Sequence, residues 1–377
     1  MARASYEPEL ATLVDAAPEG DDWLHEMKLD GYRLVAEVTG RAVTLRTRNG
    51  NDWAPRVPIV AEALAALRAA TDQPTLVLDG ELVVMNERGV SDFQALQNSL
   101  REGGALVYYV FDGLRLGARD LAPLPLDQRK QALAALLRKH PKLAGPTRTL
   151  RLSEHVIGQG PAFFAQACKL GLEGIISKRR DAPYKPGRGG DWLKVKCKKQ
   201  QEFVVGGFTA PRASRSHFGA LLIGVHDAAG QLRYAGKVGT GFTQASLREI
   251  HERLLPLVQE RPAFVDPPRG ADARDVHWLA PTLLAQIEYA EITRDGKVRH
   301  PAFQGLRDDK AARGVGLEQP SPKPTKPTKP AKPTKPAKAP APRRSTPGAR
   351  APRSASPGAG GSRRGSTARD RGPGRSR

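Results

Sequence analysis

Apolar and polar positions alternate along much of the chain before residue 200, and the period of the alternation predicts the elements. Trp23–Val38 (WLHEMKLDGYRLVAEV) alternates and breaks at Asp30-Gly31, which predicts two strands joined by a tight turn. Ala42–Arg46 continues as a strand. In Ile59–Arg68, the residues Ile59, Val60, Ala63, Leu64 and Leu67 recur at helical spacing and form one stripe. Thr75–Met85 (TLVLDGELVVM) reads as a strand, and Ala105–Phe111 (ALVYYVF) is nearly continuous in apolar residues, as in a strand covered on both faces. Helices are predicted at Asp92–Leu100, Leu126–Lys139 and Ala162–Leu170, and strands at Gly174–Lys178 and Asp191–Cys197.

The pattern changes near Lys199–Gln201. Short β-type runs (EFVVGGFTA, GALLIGVHD, LRYAGKVG) follow between glycine-rich turns, then a helix at Gln244–Leu257 and strand-like pieces around Leu284–Ile292. Several short strands with one intervening helix suit a small Greek-key β-barrel of OB type. The expected fold class is α+β, with one domain over residues 1–200 and a barrel over 201–317. Residues 318–377 hold 13 of the 32 prolines, no aromatic and no apolar residue larger than alanine. Such a segment cannot bury enough surface to offset the entropy of ordering, so a disordered tail is expected there.

Charge sharpens this division. The 377 residues carry a net charge of +21, and residues 318–377 hold 16 basic and 2 acidic side chains. In Lys323–Lys338 (KPTKPTKPAKPTKPAK) a lysine stands at every third position, a spacing that fits an extended backbone lying along a polyanion. The balance points to nucleic acid as partner. No apolar run reaches membrane-spanning length, and the N-terminal MARASYEPEL lacks a signal core, so a cytoplasmic protein is expected. Cys168 and Cys197 are the only cysteines, too few for a disulfide scaffold or a four-cysteine zinc site. Cys197 is expected to be a packed small hydrophobe in a reducing interior. The eight histidines show no metal-ligand spacing.

The candidate chemistry begins at Lys28-Leu-Asp-Gly-Tyr-Arg33. A period of two places Glu26, Lys28 and Asp30 on one strand face, with His25 on the other, where a structural role is expected. In Asp191–Cys197 (DWLKVKC) it groups Trp192, Lys194 and Lys196 and turns Leu193, Val195 and Cys197 to the core. Two lysines on one strand face can clamp phosphates. Asp79 and Glu81 share a face of LDGELVV, and Glu173 opens the apolar strand of EGIISK. Each cluster alone fits a salt bridge at a strand edge; all of them in this order do not.

The ordered set resembles the nucleotidyltransferase motifs of the ATP-dependent DNA ligases. KLDGYR resembles motif I, with Lys28 at the adenylylated position. TLRTRNGND (Thr44–Asp52) resembles the second motif, LDGELVV motif III, VYYVFDGL (Val107–Leu114) the adenine-sandwich motif, EGIISKR motif IV and DWLKVK motif V. GLRDDK (Gly305–Lys310) resembles motif VI of an OB domain. YKPGRGGDWLKVKC (Tyr184–Cys197) and RHPAFQGLRDDK (Arg299–Lys310) narrow the likeness to the bacterial LigD-type ligase domain of non-homologous end joining, over roughly residues 8–313.

The resemblance implies an ATP-grasp-like adenylation domain, an OB domain, and a ligase that adenylylates Lys28, passes AMP to a 5′-phosphate and seals the break. A lysine must lose its proton to attack, and its ordinary pKa is about 10.4, so Lys194, Lys196 and Mg²⁺ (or Mn²⁺) are expected to activate it. By resemblance, Glu26 lies near the adenine amino group and Phe111 stacks on the ring. Arg33 and Arg48 contact ribose or the nick phosphate, and Glu81 the ribose or a metal. Glu173 binds the metal with Asp30 nearby, and Lys194 and Lys196 hold the α-phosphate. Arg307, Asp309 and Lys310 orient pyrophosphate. Arg188, in a glycine-rich loop, contacts DNA or caps a turn. The implied partners are nicked or broken duplex DNA and bacterial Ku, for a monomer at the nucleoid with no membrane.

The same framework occurs in RNA ligases and in GTP-using capping enzymes, and a non-catalytic DNA clamp is a further alternative. The RNG of the second motif and the RHPAFQGLRDDK ending favour DNA ligase. An NAD⁺-dependent ligase is disfavoured, since the chain lacks the cysteine-rich and helical modules of that class. The domain is expected to stand alone, with neither polymerase nor nuclease module, and the tail to add DNA affinity.

Overall fold

A computed structural model gives the fold, and residues 6–211 and 216–321 are described. The chain divides into Met1–Lys326 and Pro327–Arg377; the second unit, and with it nearly all of the expected tail, lies outside the described residues.

The principal elements before residue 200 are β1 (Glu9–Leu13), β2 (Trp23–Met27), β3 (Tyr32–Thr39), β4 (Ala42–Arg46), α1 (Pro58–Ala69), β5 (Thr75–Val83), α2 (Phe93–Glu102), β6 (Val107–Leu116), α3 (Leu126–Arg138), α4 (Gly160–Lys169), β7 (Gly174–Arg179) and β8 (Gly187–Lys196). They form two sheets. One runs β1-β8-β7-β2, the other β4-β3-β5-β6, each with short strands at its margin. Helix α1 buries Val60, Leu64 and Leu67 against Leu34, Leu76 and Leu78 of the second sheet. Truncating such a leucine to alanine costs about 2–5 kcal/mol. Ile59, placed by periodicity in the same stripe, is instead 46% exposed. Asp92 caps α2 by accepting from the Ala95 amide, as a short carboxylate at a helix start does. Phe111 and Val77 of one sheet meet Tyr184 and Trp192 from the side of the other.

The turn at Asp30-Gly31 does not make a hairpin. Strand β2 pairs with β7, with Glu26 opposite Ile176, whereas β3 pairs with β4 and β5. Residues 28–31 therefore carry the chain from one sheet to the other. A Cβ on Gly31 would run into the Leu82 carbonyl and the Val83 side chain, so the crossing needs glycine. In β5, a Cβ on Gly80 would strike the Tyr108 ring. Strand β1, which has no strong pattern of its own, pairs in parallel with β8.

The two cysteines are joined. Cys168, in α4, bonds Cys197, just past β8, across 29 residues. This corrects the expectation of a free, packed thiol: α4 folds back beside β7 and β8, a tertiary contact that strand alternation does not report.

The second sheet system uses β9 (Gln200–Thr209), β10 (Leu221–His226), β11 (Leu232–Val238), α5 (Gln244–Leu254), β12 (Val276–Glu288) and β13 (Ala302–Arg307), ordered β11-β10-β9-β12 with β13 also on β12. Its core includes Phe203, Val205, Ile223, Leu247 and Ile250. Thr243 and Ser246 form a capping box at the start of α5. The helix ends at Leu254, short of the expected Leu257, where Leu255–Leu257 tightens into a 3₁₀ turn containing Pro256. The 13-residue β12 pairs with β9 on one side and β13 on the other, placing Gln286 opposite Gly305.

Candidate active site

Because residues 28–31 cross between sheets, Lys28 projects into the cleft they leave. Its amide donates to the Gly174 carbonyl at 2.9 Å, which ties the crossing to the start of β7. Its Nζ donates to Glu173 Oε2 at 2.5 Å. Burial pulls the ammonium pKa down, but Glu173 and Asp30 outweigh it and the net direction is up. The same pair holds the Glu173 carboxyl below its usual range despite its burial. In this geometry Lys28 is an ion-paired ammonium. Lys194 and Lys196 do not turn to it; they converge on Glu318, at 2.5 and 2.9 Å.

Two adjoining cavities collect the sequence-predicted residues. The larger, about 180 Å³, is lined by Lys28, Asp30, Arg33, Arg48, Glu81, Glu173, Arg188, Lys194 and Lys196, and by Arg307, Asp309 and Lys310 from the barrel. The smaller, about 110 Å³, shares Lys28, Arg33 and Glu81 and adds Glu26, Phe111, Ile176, Lys178 and Trp192, with Lys178 Nζ 4.3 Å from the Phe111 ring centre and 4.0 Å from that of Trp192. The larger gathers most of the cations; the smaller adds two aromatic rings and an aliphatic side chain, and Lys28 is on the wall of both. Such a pair can take a nucleotide with its base in the smaller and its phosphates in the larger. His25 lines neither. It is buried, bonded to Ser177 Oγ at 2.8 Å, and burial pushes its pKa down to about 4.

Some predicted residues are engaged by the protein itself. Arg33 donates to both Asp79 oxygens, at 3.0 and 2.6 Å, to the Tyr184 hydroxyl at 3.3 Å and to the Glu9 carbonyl. Its guanidinium also lies 5.3 Å from the Phe111 ring centre and 5.2 Å from that of Trp192. Arg33 thus builds the wall between the cavities. Arg188 donates to the Ala11 carbonyl from the cavity edge. Arg48 has its pKa lowered by burial and by Arg188.

The barrel closes the larger cavity. Arg307 forms a two-bond pair with Asp309, both bonds 2.9 Å, and lies over Tyr32 and Phe93 at 4.9 and 4.6 Å. It also donates to Gln286 Oε1 at 3.1 Å, while Gln286 Nε2 donates to both oxygens of Asp30 at 3.0 and 3.2 Å. Lys310 pairs with Glu202. Gln286, Glu202 and Glu318 had no signal in the sequence, since none belongs to a motif. By composition Glu318 falls in the expected tail, yet its amide donates to Gln201 Oε1, and Ser321 N–H donates to the Leu13 carbonyl at 2.9 Å. Residues 318–321 therefore lie against the first domain. Lys194 and Lys196 outweigh burial and hold the Glu318 carboxyl down at about 2. Burial, with Lys196 adding to it, brings Lys194 down to about 8 although Glu318 opposes this.

The carboxylates can serve a cation in part. Among the described residues, no three His, Cys, Asp or Glu side chains converge as a ready metal site. Asp30 and Glu173 are close enough that Glu173, after burial, helps push the Asp30 carboxyl up to about 6; burial takes Glu81 up to about 7. Two carboxylates suit Mg²⁺ that takes its remaining oxygens from water and substrate phosphates.

A family model described as the ATP dependent DNA ligase domain matches residues 6–196, and one described as the ATP dependent DNA ligase C terminal region matches residues 214–310. The chain is 44% identical over 321 residues to the multifunctional non-homologous end joining protein LigD of Pseudomonas aeruginosa, covering 84% of this chain and 37% of that protein. To the multifunctional non-homologous end joining DNA repair protein LigD of Mycobacterium tuberculosis it is 37% identical over 314 residues, covering 82% of this chain and 40% of that protein. The chain thus spans less than half the length of these relatives. A solved structure of mycobacterial DNA ligase D complexed with ATP and MES matches with a TM-score of 0.61 and 35% identity, covering 83% of this chain and 98% of that one.

Proposed function

The chain belongs to the ATP-dependent DNA ligase family, and from that premise we propose that it joins 3′-hydroxyl and 5′-phosphate ends in duplex DNA through a covalent Lys28–AMP. The observation that carries this is the position of Lys28 between a cavity lined by Phe111 and a cavity lined by Lys194 and Lys196. Adenine enters the smaller cavity, its face on Phe111 and its amino edge toward Glu26. The triphosphate enters the larger one, where Lys194 and Lys196 exchange Glu318 for the α-phosphate.

The Lys28 amine attacks that phosphorus. An N–P bond forms, the P–O bond to pyrophosphate breaks, and the ammonium proton must leave first, with Glu173 Oε2 already accepting it in a hydrogen bond. Asp30 and Glu173 would hold Mg²⁺, which would supply neutralising charge to the phosphates, and Glu173 would then release its pairing with the Lys28 ammonium. Arg307, Asp309 and Lys310 orient the leaving pyrophosphate. AMP then passes to the 5′-phosphate, and the 3′-hydroxyl displaces it. Positioning and charge stabilisation dominate phosphoryl transfers of this kind.

The likeness to LigD proteins supports a role in end joining on chromosomal DNA in the cytoplasm, with Ku as a candidate partner of a monomeric ligase. The test is sealing of a singly nicked duplex with ATP and Mg²⁺. The unmodified chain seals it and Lys28→Ala does not; sealing by Lys28→Ala at the unmodified rate would overturn the proposal.

A further inference from the structure

A buried ammonium that lines neither cavity stands behind both Glu26 and Phe111 of the base cavity. Lys130 lies on α3, outside every motif of the sequence, and its side chain is 3% exposed. It donates to Glu26 Oε1, to the Phe111 carbonyl at 3.3 Å and to the Ser153 carbonyl at 3.0 Å. A lysine has three N–H donors, and all three are used. Glu26 Oε2 accepts from Ser153 Oγ at 3.3 Å and from Lys178 at 2.9 Å, which turns that cavity-lining ammonium toward the carboxylate. An ionised carboxylate offers about four lone-pair positions. Three are taken, and the fourth is on Oε1, the oxygen that Lys130 holds.

Burial alone would push Glu26 toward its neutral form, and the two lysines keep it ionised. An ionised carboxylate accepts hydrogen bonds and cannot donate. Adenine carries an N–H donor on its six-position and guanine carries an acceptor there. We propose that Lys130 is a positioning residue for base choice: it aims Glu26 as an acceptor-only group and anchors the Phe111 backbone beside it, so that the cavity takes adenine over guanine. The inference rests on the smaller cavity being the base site.

The experiment compares covalent labelling of the full chain by α-³²P ATP and α-³²P GTP over a range of concentrations. Lys130→Met removes the donors at similar length; Lys130→Gln keeps two donors and decides the matter if Lys130→Met does not fold. In Lys130→Met the half-saturating ATP concentration rises, the rate at saturating ATP stays within about threefold, and the ATP-to-GTP preference falls at least about tenfold. Lys130→Gln falls between it and the unmodified chain. A structural defect would lower both nucleotides together, so equal losses with ATP and GTP, or an unchanged preference, overturn the inference. Failure of the unmodified chain to label with either nucleotide overturns the ligase reading instead.

Discussion

Replacing Glu318 by alanine should tighten ATP binding. The Glu318 carboxylate occupies both lysines assigned to the α-phosphate, at 2.5 Å from Lys194 and 2.9 Å from Lys196. Those lysines hold its carboxyl at about 2, against an ordinary 4.5. At about 1.36 kcal/mol per pKa unit, the shift corresponds to roughly 3 kcal/mol of preference for the ionised, paired state. Glu318 is 27% exposed, so solvent screening reduces this to on the order of 1–2 kcal/mol. An incoming phosphate must displace that interaction. Its removal should lower the half-saturating ATP concentration for Lys28 labelling about 5- to 30-fold. Glu318→Gln, which keeps the shape and loses the charge, should do nearly the same. The sign of the pH effect follows. Because the folded carboxyl is depressed, its stabilisation is complete above the unfolded value of 4.5 and is lost as pH falls toward 2, so Glu318→Gln should flatten that part of the acid-unfolding curve. An unchanged or higher half-saturating ATP concentration in both variants would refute the reasoning.

Opening the Cys168–Cys197 bond frees a 29-residue loop in the unfolded chain; Cys168→Ser should lower urea-unfolding stability by about 3–4 kcal/mol, and reductant should have the same effect on the unmodified chain. His25 titrates near 4 when folded and near 6.5 when unfolded, so its contribution is complete above pH 6.5 and is lost as pH falls toward 4. His25→Gln should therefore lose roughly 2–3 kcal/mol less than the unmodified chain between pH 7 and pH 4, and equal losses would contradict the assignment. Deleting the chain beyond Ser321 removes 16 basic residues and one acidic one but leaves Glu318 in place. Nick binding measured against salt should then show a shallower log–log slope, with the rate of Lys28 labelling unchanged.

Much of the candidate site was legible because strand alternation groups side chains by face. It grouped Lys194 with Lys196, and both meet one carboxylate. It also set His25 apart from Lys28, and His25 lies in a closed environment. Every residue given a nucleotide, metal or pyrophosphate role lines one of two adjoining cavities, whereas Asp79, grouped with Glu81, is buried beneath Arg33. What alternation could not report was which strand pairs with which. Asp30-Gly31 has the chemistry of a hairpin turn, yet it joins strands of different sheets, and that crossing is what delivers Lys28 to the cleft. Lys130 has no sequence signal because a lysine on an amphipathic helix ordinarily lies on the solvated face; here Glu26 and two carbonyls give it buried partners. Glu318 lies in a stretch whose composition matches the tail, and the two lysines it pairs with lie more than 120 residues earlier in the chain. The disulfide likewise depends on how α4 folds back, a long-range contact with no local signature.

The central claim is that Lys28 forms the covalent link to AMP. The direct measurement is to incubate the chain with ATP and Mg²⁺, digest it, and locate the added AMP by mass spectrometry, before and after a chase with nicked duplex DNA. AMP on the peptide containing Lys28, discharged by the nicked DNA with sealing of the nick, is the predicted result. AMP on another residue, or sealing by a chain that never carries AMP, would contradict it.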